Sequence, residues 1–322
     1  MKIVIFSQAT DWTTTEIMQW IKFYKKQVVR INLDDPNFRV ISIDKTAVVK
    51  TTYGTDELTT SDIYWFRRPK LVSLIPSGSE FTEEYYFQAR EETEALYTLY
   101  HWVMDNCTFI ANPFTSSPNK IHQLDVAKKC GFLTPDTIFS TKKEDIESMF
   151  NKYSKLAVKP FSTLSISTSN SSCEKAFTTC IEKQDLDRIP KEFGGLIIQN
   201  YIEKKYELRS FFFNKEFYTM AIFSQNDDKT KIDFRNYNKE KPNKFVCFEL
   251  AEQYKDKLLL IAEKLGLDTG SFDIIVDHEE NYYFLEVNPI GQFGMVSHPC
   301  NYNIEKYIAL SLIEKGENNG KQ

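Results

Sequence analysis

Two apolar stretches in the last sixth of the chain carry acidic residues where acids are costly. Asp273 lies within Ser271-Phe272-Asp273-Ile274-Ile275-Val276, and Glu286 within Phe284-Leu285-Glu286-Val287-Asn288-Pro289. A carboxylate among buried neighbours needs a cation or hydrogen-bond donors. Strand alternation places Glu286 and Asn288 on one face, and pairing of the two strands adds Asp273. Three oxygen donors on one surface suit Mg²⁺ bridging nucleotide phosphates. Each acid alone reads equally well as an exposed edge residue or a satisfied ion pair; the three at this spacing favour the metal.

A lysine in an apolar strand points the same way. Leu156-Ala157-Val158-Lys159-Pro160 gives Lys159 little reason to be there unless it meets an anion, although a strand-end lysine reaching solvent reads similarly. The hydroxyl-rich segment Phe161–Thr168 that follows can wrap phosphate. Leu196-Ile197-Ile198-Gln199-Asn200-Tyr201-Ile202-Glu203 runs from an apolar strand into a polar-aromatic stretch whose backbone can read an adenine edge; a core strand reaching the surface looks the same. Glu207 and Arg209 share a strand face, as a polar pair on a half-exposed sheet also would. Arg67 and Arg68 end the strand Ile63–Phe66, where two guanidiniums suit a carboxylate or, alternatively, form a solvated pair before Pro69.

Organisation follows from periodicity. Strand signals at 2–6, 27–32 and 63–66 alternate with helical ones at 13–25 and 80–105, which implies an α/β unit with a parallel sheet. Asn112–Pro118 breaks the pattern, and Asn119 is an N-cap for a helix over 120–130 that Gly131 ends. From 135 onward short strands dominate, an α+β pattern, closed by a helix over about 301–314 and a polar, frayed tail. The 322 residues suit about two domains or one large one, and the 25 Phe and 17 Tyr supply core.

The net charge of −5 argues against a general nucleic-acid binder. No apolar run approaches the roughly 18 residues of a membrane span. Six scattered cysteines without a Cys-x-x-Cys pair, and no secretion signal, point to a reducing cytoplasm. Four histidines without His-x-x-x-His spacing argue against a zinc hydrolase. His298 beside Cys300 suggests a nucleophile with its base, but Pro299 between them favours a structural role.

Taken in order, these motifs resemble the ATP-grasp superfamily over about 120–300: a buried Lys before Pro, an adenine hinge, an acid-x-Arg strand, an Asp strand, and Glu-Val-Asn-Pro. Glu207-Leu208-Arg209 and Asp233-Phe234-Arg235-Asn236 resemble the branch that ligates glutamate to protein tails. Trp65-Phe66-Arg67-Arg68 and Gly291-Gln292-Phe293-Gly294-Met295 bring the chain closer to the graspetide (microviridin-type) peptide maturases. The run Gln292–Tyr302 is most similar to the grasp-with-SPASM subgroup, and the chain also resembles chryseoviridin-type maturases.

The resemblance implies an ATP-grasp fold, α/β and α+β: a pre-ATP-grasp domain over 1–115, a central subdomain over 116–200, a C-terminal grasp subdomain over 201–314 and a disordered tail over 315–322. ATP would lie between the last two. Lys120 and Lys159 would contact its phosphates, Gln199, Asn200, Tyr201 and Ile202 its adenine, and Glu207 its ribose, with Asn236 also in the nucleotide set. Asp273, Glu286 and Asn288 would bind two Mg²⁺. Arg209 and Arg235 would face the transferred phosphoryl group or acyl phosphate, with Lys159 assisting, and Arg67 and Arg68 would meet substrate. The implied reaction is ATP-dependent formation of ω-ester or ω-amide links between Asp/Glu carboxylates and Thr, Ser or Lys side chains. The implied partners are a ribosomal precursor peptide with an N-terminal leader and a Thr/Glu/Asp-rich core, and a second copy of the chain; neither nucleic acid nor membrane is expected. A glutamate-type amino-acid ligase and a non-catalytic leader-binding module are the competing readings. One departure stands out: no glycine lies between Lys159 and Gly194, where many ATP-grasp flaps are glycine-rich.

Overall fold

The computed structural model describes residues 1–70, 82–160, 178–225, 227, 230–235, 238 and 240–319, with 165–167 and 173–175 as backbone. The chain opens with β1 (Ile3–Ser7), α1 (Trp12–Phe23), β2 (Val28–Asn32), β3 (Arg39–Ile43), β4 (Ala47–Thr51), β5 (Gly54–Leu58), β6 (Ile63–Phe66), α2 (Glu83–Asn106) and β7 (Thr108–Ile110). Strands β2-β1-β6-β7 form the expected parallel sheet. Alternation sorts it into two faces. Val4, Phe6, Tyr64 and Phe66 pack on α2 and on the β3-β4-β5 meander. Ile3, Ile5, Ile63 and Trp65 pack in a second core that extends to the C-terminal elements.

The middle of the chain gives α3 (Lys120–Lys129), β8 (Thr137–Lys142), α4 (Lys143–Phe150), β9 (Lys155–Pro160), β10 (Ser165–Ser167), β11 (Cys173–Lys175), β12 (Thr179–Glu182) and β13 (Glu192–Asn200). The Asn119 side chain caps α3 as expected, accepting from the amides of Ile121 at 2.9 Å and His122 at 3.1 Å. Gly131 follows that helix at φ +75°, a left-handed conformation glycine adopts without a Cβ penalty. Strands β12-β9-β13-β8 form an antiparallel sheet, backed by α4 through Ile146, Met149 and Phe150.

The remainder is β14 (Lys204–Phe213), β15 (Glu216–Phe223), β16 (Lys244–Phe248), α5 (Glu252–Lys264), β17 (Thr269–Asp277), β18 (Tyr282–Asn288), α6 (Gly294–Cys300) and α7 (Ile304–Asn319). The antiparallel order is β16-β15-β14-β17-β18. Leu208, Phe212 and Ala221 face a core shared with α3 and α5. The opposite face carries Phe211, Phe213, Met220 and Ile222, which join the core shared with β1, β6 and α7. Helix α7 runs to Asn319, past Lys315 where the sequence reading starts a frayed tail. Gly316 packs so closely on Met1 that a Cβ there would strike the Met1 sulfur. No helix among the described residues is long and apolar enough to cross a membrane.

Candidate active site

The acids that open the sequence argument come together. Asp273 on β17 stands in register with Glu286 on β18, and Ser271 with Asn288. A bulge follows the Asp273–Glu286 pair, with Leu285 as the extra residue. It lets adjacent Leu285 and Glu286 both line one cleft, against simple alternation. The cleft has a volume of about 410 Å³, within the usual range for small-molecule sites. Its walls are β9 and β13 on one side and β14, β17 and β18 on the other.

One end of the cleft is cationic. Lys159, half-buried on β9, and Lys120, at the first turn of α3, both line it. The Lys120 Nζ lies 3.4 Å from Glu286 Oε2. Helix α3 is pinned there by Gln123, whose Oε1 accepts from the Val287 amide at 2.7 Å. Burial pushes the Lys159 ammonium below its ordinary pKa, with Lys120 and Arg235 adding to this and Glu286 opposing it. Burial alone would raise Glu286, but Lys120, Lys159 and Arg235 together hold it below the usual carboxylate value. Asp273 goes the other way: burial and the neighbouring Glu286 push it up to about 6, against Arg209 and Arg235.

Two carboxylates side by side, one raised by burial and by its neighbour, make a charge arrangement that a divalent cation relieves. The donor set fits Mg²⁺ on that ground. Asn288 lines the adjoining cavity instead of the main cleft, and its Oδ1 accepts from the Ile290 amide at 3.0 Å.

The other end of the cleft is less polar, with Ala157, Tyr201, Ile202, Ile232, Ile275 and Leu285 among its walls. The four hinge residues Gln199–Ile202 all line it. Three of them are tied to the neighbouring segments at Asp136, Thr137 and Lys155. Gln199 donates to Thr137 Oγ1 at 2.9 Å, and Asn200 Oδ1 accepts from the Asp136 amide at 2.7 Å. The amides of Asn200 and Tyr201 donate to the carbonyls of Asp136 and Lys155, both at 3.1 Å. Glu207 is buried and bonded at 2.6 Å to Lys204 Nζ, which also donates to the Ile232 carbonyl.

Lys204 is a cleft residue that sequence reasoning missed. Lys204-Lys205 reads as a solvated start to a strand, but a register shift between Lys204 and Tyr206 turns Lys204 inward.

A second cavity, of about 420 Å³, adjoins the first and shares Phe234, Arg235, Asp273 and Glu286 with it. Arg209, Asn243, Asn288, Gln292 and Met295 complete much of its wall. Arg209 is buried, with Nη1 3.7 Å from Asp273 Oδ1 and its Nε without a hydrogen-bond partner among the described residues. Arg235 is held by Asp233 in a two-bond fork of 2.9 and 2.7 Å, which raises its pKa further. Sequence reasoning named Asp233 only as part of a motif; in the structure its carboxylate fixes the direction of the Arg235 guanidinium.

Arg67 and Arg68 line neither cavity. Both pair with Asp11, at 3.3 and 2.7 Å, just before α1. Arg67 is buried, stacks over Phe293 and donates to the Gly291 carbonyl at 3.1 Å. It fastens the run Gly291–Met295, which feeds Gln292 and Met295 into the second cavity. A Cβ at Gly291 would overlap the Ser271 hydroxyl, so the close approach of this run to β17 requires glycine.

Asn236 lies outside the described residues, as does the Phe161–Thr168 segment apart from the Ser165–Ser167 backbone. His298 and Cys300 form no nucleophile pair: burial and Cys247 push the Cys300 thiol up to about 12, while His298 turns to Glu16 and Glu305.

The fold matches a Chryseobacterium gregarium RiPP-associated ATP-grasp ligase, solved with ADP and a leader and core peptide. The match has a TM-score of 0.83 at 24% identity, over 98% of this chain and 97% of that one. It also matches macrocyclase MdnC from Microcystis aeruginosa MRC, bound with precursor peptide MdnA, at TM-score 0.82 and 23% identity over 98% and 100%. The ATP-grasp ligase PsnB, complexed with a phosphomimetic variant of its minimal precursor, Mg and ADP, follows at TM-score 0.75 and 15% identity over 98% of each chain. No curated protein matches the chain by sequence. The model of the RimK-like ATP-grasp domain matches residues 117–312, the stretch that holds every wall of the cleft. With that match over more than half its length, the chain belongs to the RimK-like ATP-grasp family.

Proposed function

We propose that the protein is an ATP-dependent macrocyclase of the graspetide type, joining side chains of a ribosomal precursor peptide. The observation that carries this reading is the meeting of two cavities at Asp273, Glu286 and Arg235. A ligase that activates a carboxylate on ATP and passes it to a second nucleophile needs two such compartments, joined at the phosphoryl group. The main cleft takes ATP: Gln199–Ile202 flank the adenine, Glu207 the ribose, and Lys120 and Lys159 the phosphates. The second cavity takes the peptide side chains. The complexes of the structural neighbours with ADP, Mg or precursor peptides support the assignment.

In this reading a peptide carboxylate attacks the γ-phosphorus and ADP leaves. A Thr, Ser or Lys side chain then displaces phosphate from the acyl phosphate and forms an ω-ester or ω-amide. Lys159 and Arg209 stabilise charge on the transferring group, and Arg235, aimed by Asp233, orients it. Asp273, Glu286 and Asn288 would hold two Mg²⁺, whose charge offsets that of the phosphates. No nucleophile from the protein is required. In this reading the chain divides at 115 and 200, and ATP lies between the central and C-terminal units.

Lys159→Ala tests the phosphate end. Loss of a charge-assisted contact costs about 1.5–3 kcal/mol, so ATP affinity should fall roughly tenfold to a hundredfold, with slower turnover. Unchanged affinity and rate, measured by nucleotide titration and steady-state assay, would make Lys159 a strand-end lysine only. The reading as a whole is tested by nucleotide products. A leader-bearing peptide with a Thr/Glu-rich core should stimulate release of ADP and phosphate in step. AMP and pyrophosphate, or peptide binding with no ATP turnover, would overturn it.

A further inference from the structure

Glu16 on α1, His298 on α6 and Glu305 on α7 converge on one point, and none of them lines the nucleotide cleft or the cavity beside it. The His298 Nε2 lies 3.4 Å from Glu16 Oε2 and 3.7 Å from Glu305 Oε1, and the three donor atoms lie within 4.8 Å of one another. Metal–ligand bonds of about 2.0–2.2 Å in a tetrahedron place ligand atoms about 3.4 Å apart, so the two measured spacings are already close to those of an assembled site.

A second observation is independent of the spacing. The Glu305 side chain is only 7% exposed, yet its Oε1 has no hydrogen-bond partner among the described residues. A buried carboxylate oxygen without a donor is costly. The Glu16 Oε2 that faces the same point is in the same condition. The other Glu305 oxygen is fixed: Oε2 accepts from the Ser297 hydroxyl at 2.6 Å, and that hydroxyl accepts from the Ile304 amide at 3.0 Å. Hydrogen bonds that orient a ligating carboxylate in this way are typical of metal sites. The packing of the His298 ring against Trp12, at 5.3 Å between centroids, holds the imidazole. The fourth direction opens into a surface cavity bordered by Gln19, Trp20, Phe23 and Asn301.

We propose that Glu16, His298 and Glu305 form a binding site for a divalent transition-metal ion of the zinc type. One imidazole nitrogen and two carboxylate oxygens suit zinc better than Mg²⁺, which prefers all-oxygen, octahedral surroundings. The ion ties the first helix to the last two, and its open position takes water or an incoming ligand.

The test uses the full chain, stripped of metal and kept in excess Mg²⁺ so that the phosphate end of the cleft does not compete. Titration with Zn²⁺ in a calorimeter should show one ion bound per chain, and Co²⁺ should give the visible absorption of a low-symmetry nitrogen–oxygen site. His298→Ala, a half-exposed position, should weaken binding at least tenfold and erase the Co²⁺ spectrum while keeping the metal-free melting temperature. Glu16→Gln should weaken binding likewise and serves if His298→Ala folds poorly. Asp273→Asn should leave this Zn²⁺ uptake unchanged. Absence of Zn²⁺ binding to the unaltered chain, or equal binding by it and both triad variants, would overturn the site and leave a histidine packed between two carboxylates.

Discussion

Glu286→Gln should abolish turnover, by roughly a thousandfold or more, while the protein folds normally. Removal of one well-placed electrostatic group in a catalytic site commonly costs about a hundredfold to a thousandfold, and in the proposed site the group would also be a metal ligand. Glu286 is the acid that Lys120, Lys159 and Arg235 all surround. Its replacement leaves three cations with less countercharge and leaves Asp273 as the one carboxylate of the pair. Glutamine has nearly the same shape. The β18 backbone keeps its register with β17 and its bond from the Val287 amide to Gln123, so the melting temperature should stay close to that of the parent. Turnover within tenfold of the parent in a steady-state ADP assay would remove Glu286 from the metal assignment.

Arg67→Ala should destabilise the protein by about 3–5 kcal/mol, the usual cost of removing one partner of a buried ion pair. The loss leaves buried Asp11 with Arg68 and the Thr13 hydroxyl, and deprives the Gly291 carbonyl of its donor. Burial already pushes the Arg67 guanidinium down to about 10, against the pull of Asp11. Arg68 is partly exposed but bonds the same buried Asp11, and Arg68→Ala should cost less than Arg67→Ala, about 1.5–3 kcal/mol. Urea denaturation of the two variants makes the comparison. Parental stability in Arg67→Ala, with peptide binding lost, would instead restore the substrate role that its position at a strand end suggests.

That contrast shows where sequence reasoning stops. The acids of β17 and β18 were legible because a charge inside an apolar strand has few explanations, and Asn288-Pro289 marks where the strand ends. Lys159 was legible for the same local reason, and 199–202 because an apolar strand turns polar there; all of them line the cleft. Arg67 and Arg68 were not, because their partner Asp11 is more than fifty residues away and meets them only across the parallel sheet. Lys204 was hidden by an irregular register, which alternation does not foresee.

The β3-β4-β5 meander gave little signal, since β3 is half-exposed to exposed, β5 is mostly exposed, and their Arg, Ser, Thr, Asp and Glu residues break an apolar alternation. Lys315–Asn319 is polar enough to read as tail. The chain remains helical there because Gly316 docks on Met1 and Glu317 pairs with Lys26 at 2.7 Å, contacts made with the opposite end of the sequence.

The central claim is tested most directly by the mass of the peptide product. The protein is incubated with ATP, Mg²⁺ and a leader-bearing precursor whose core is rich in Thr and Glu, and the peptide is weighed by mass spectrometry. The expected result is a loss of one water per ring, with one ADP formed for each, and no such loss when the leader is removed. A peptide that instead gains the mass of an added amino acid would contradict the cyclase account and identify an amino-acid ligase.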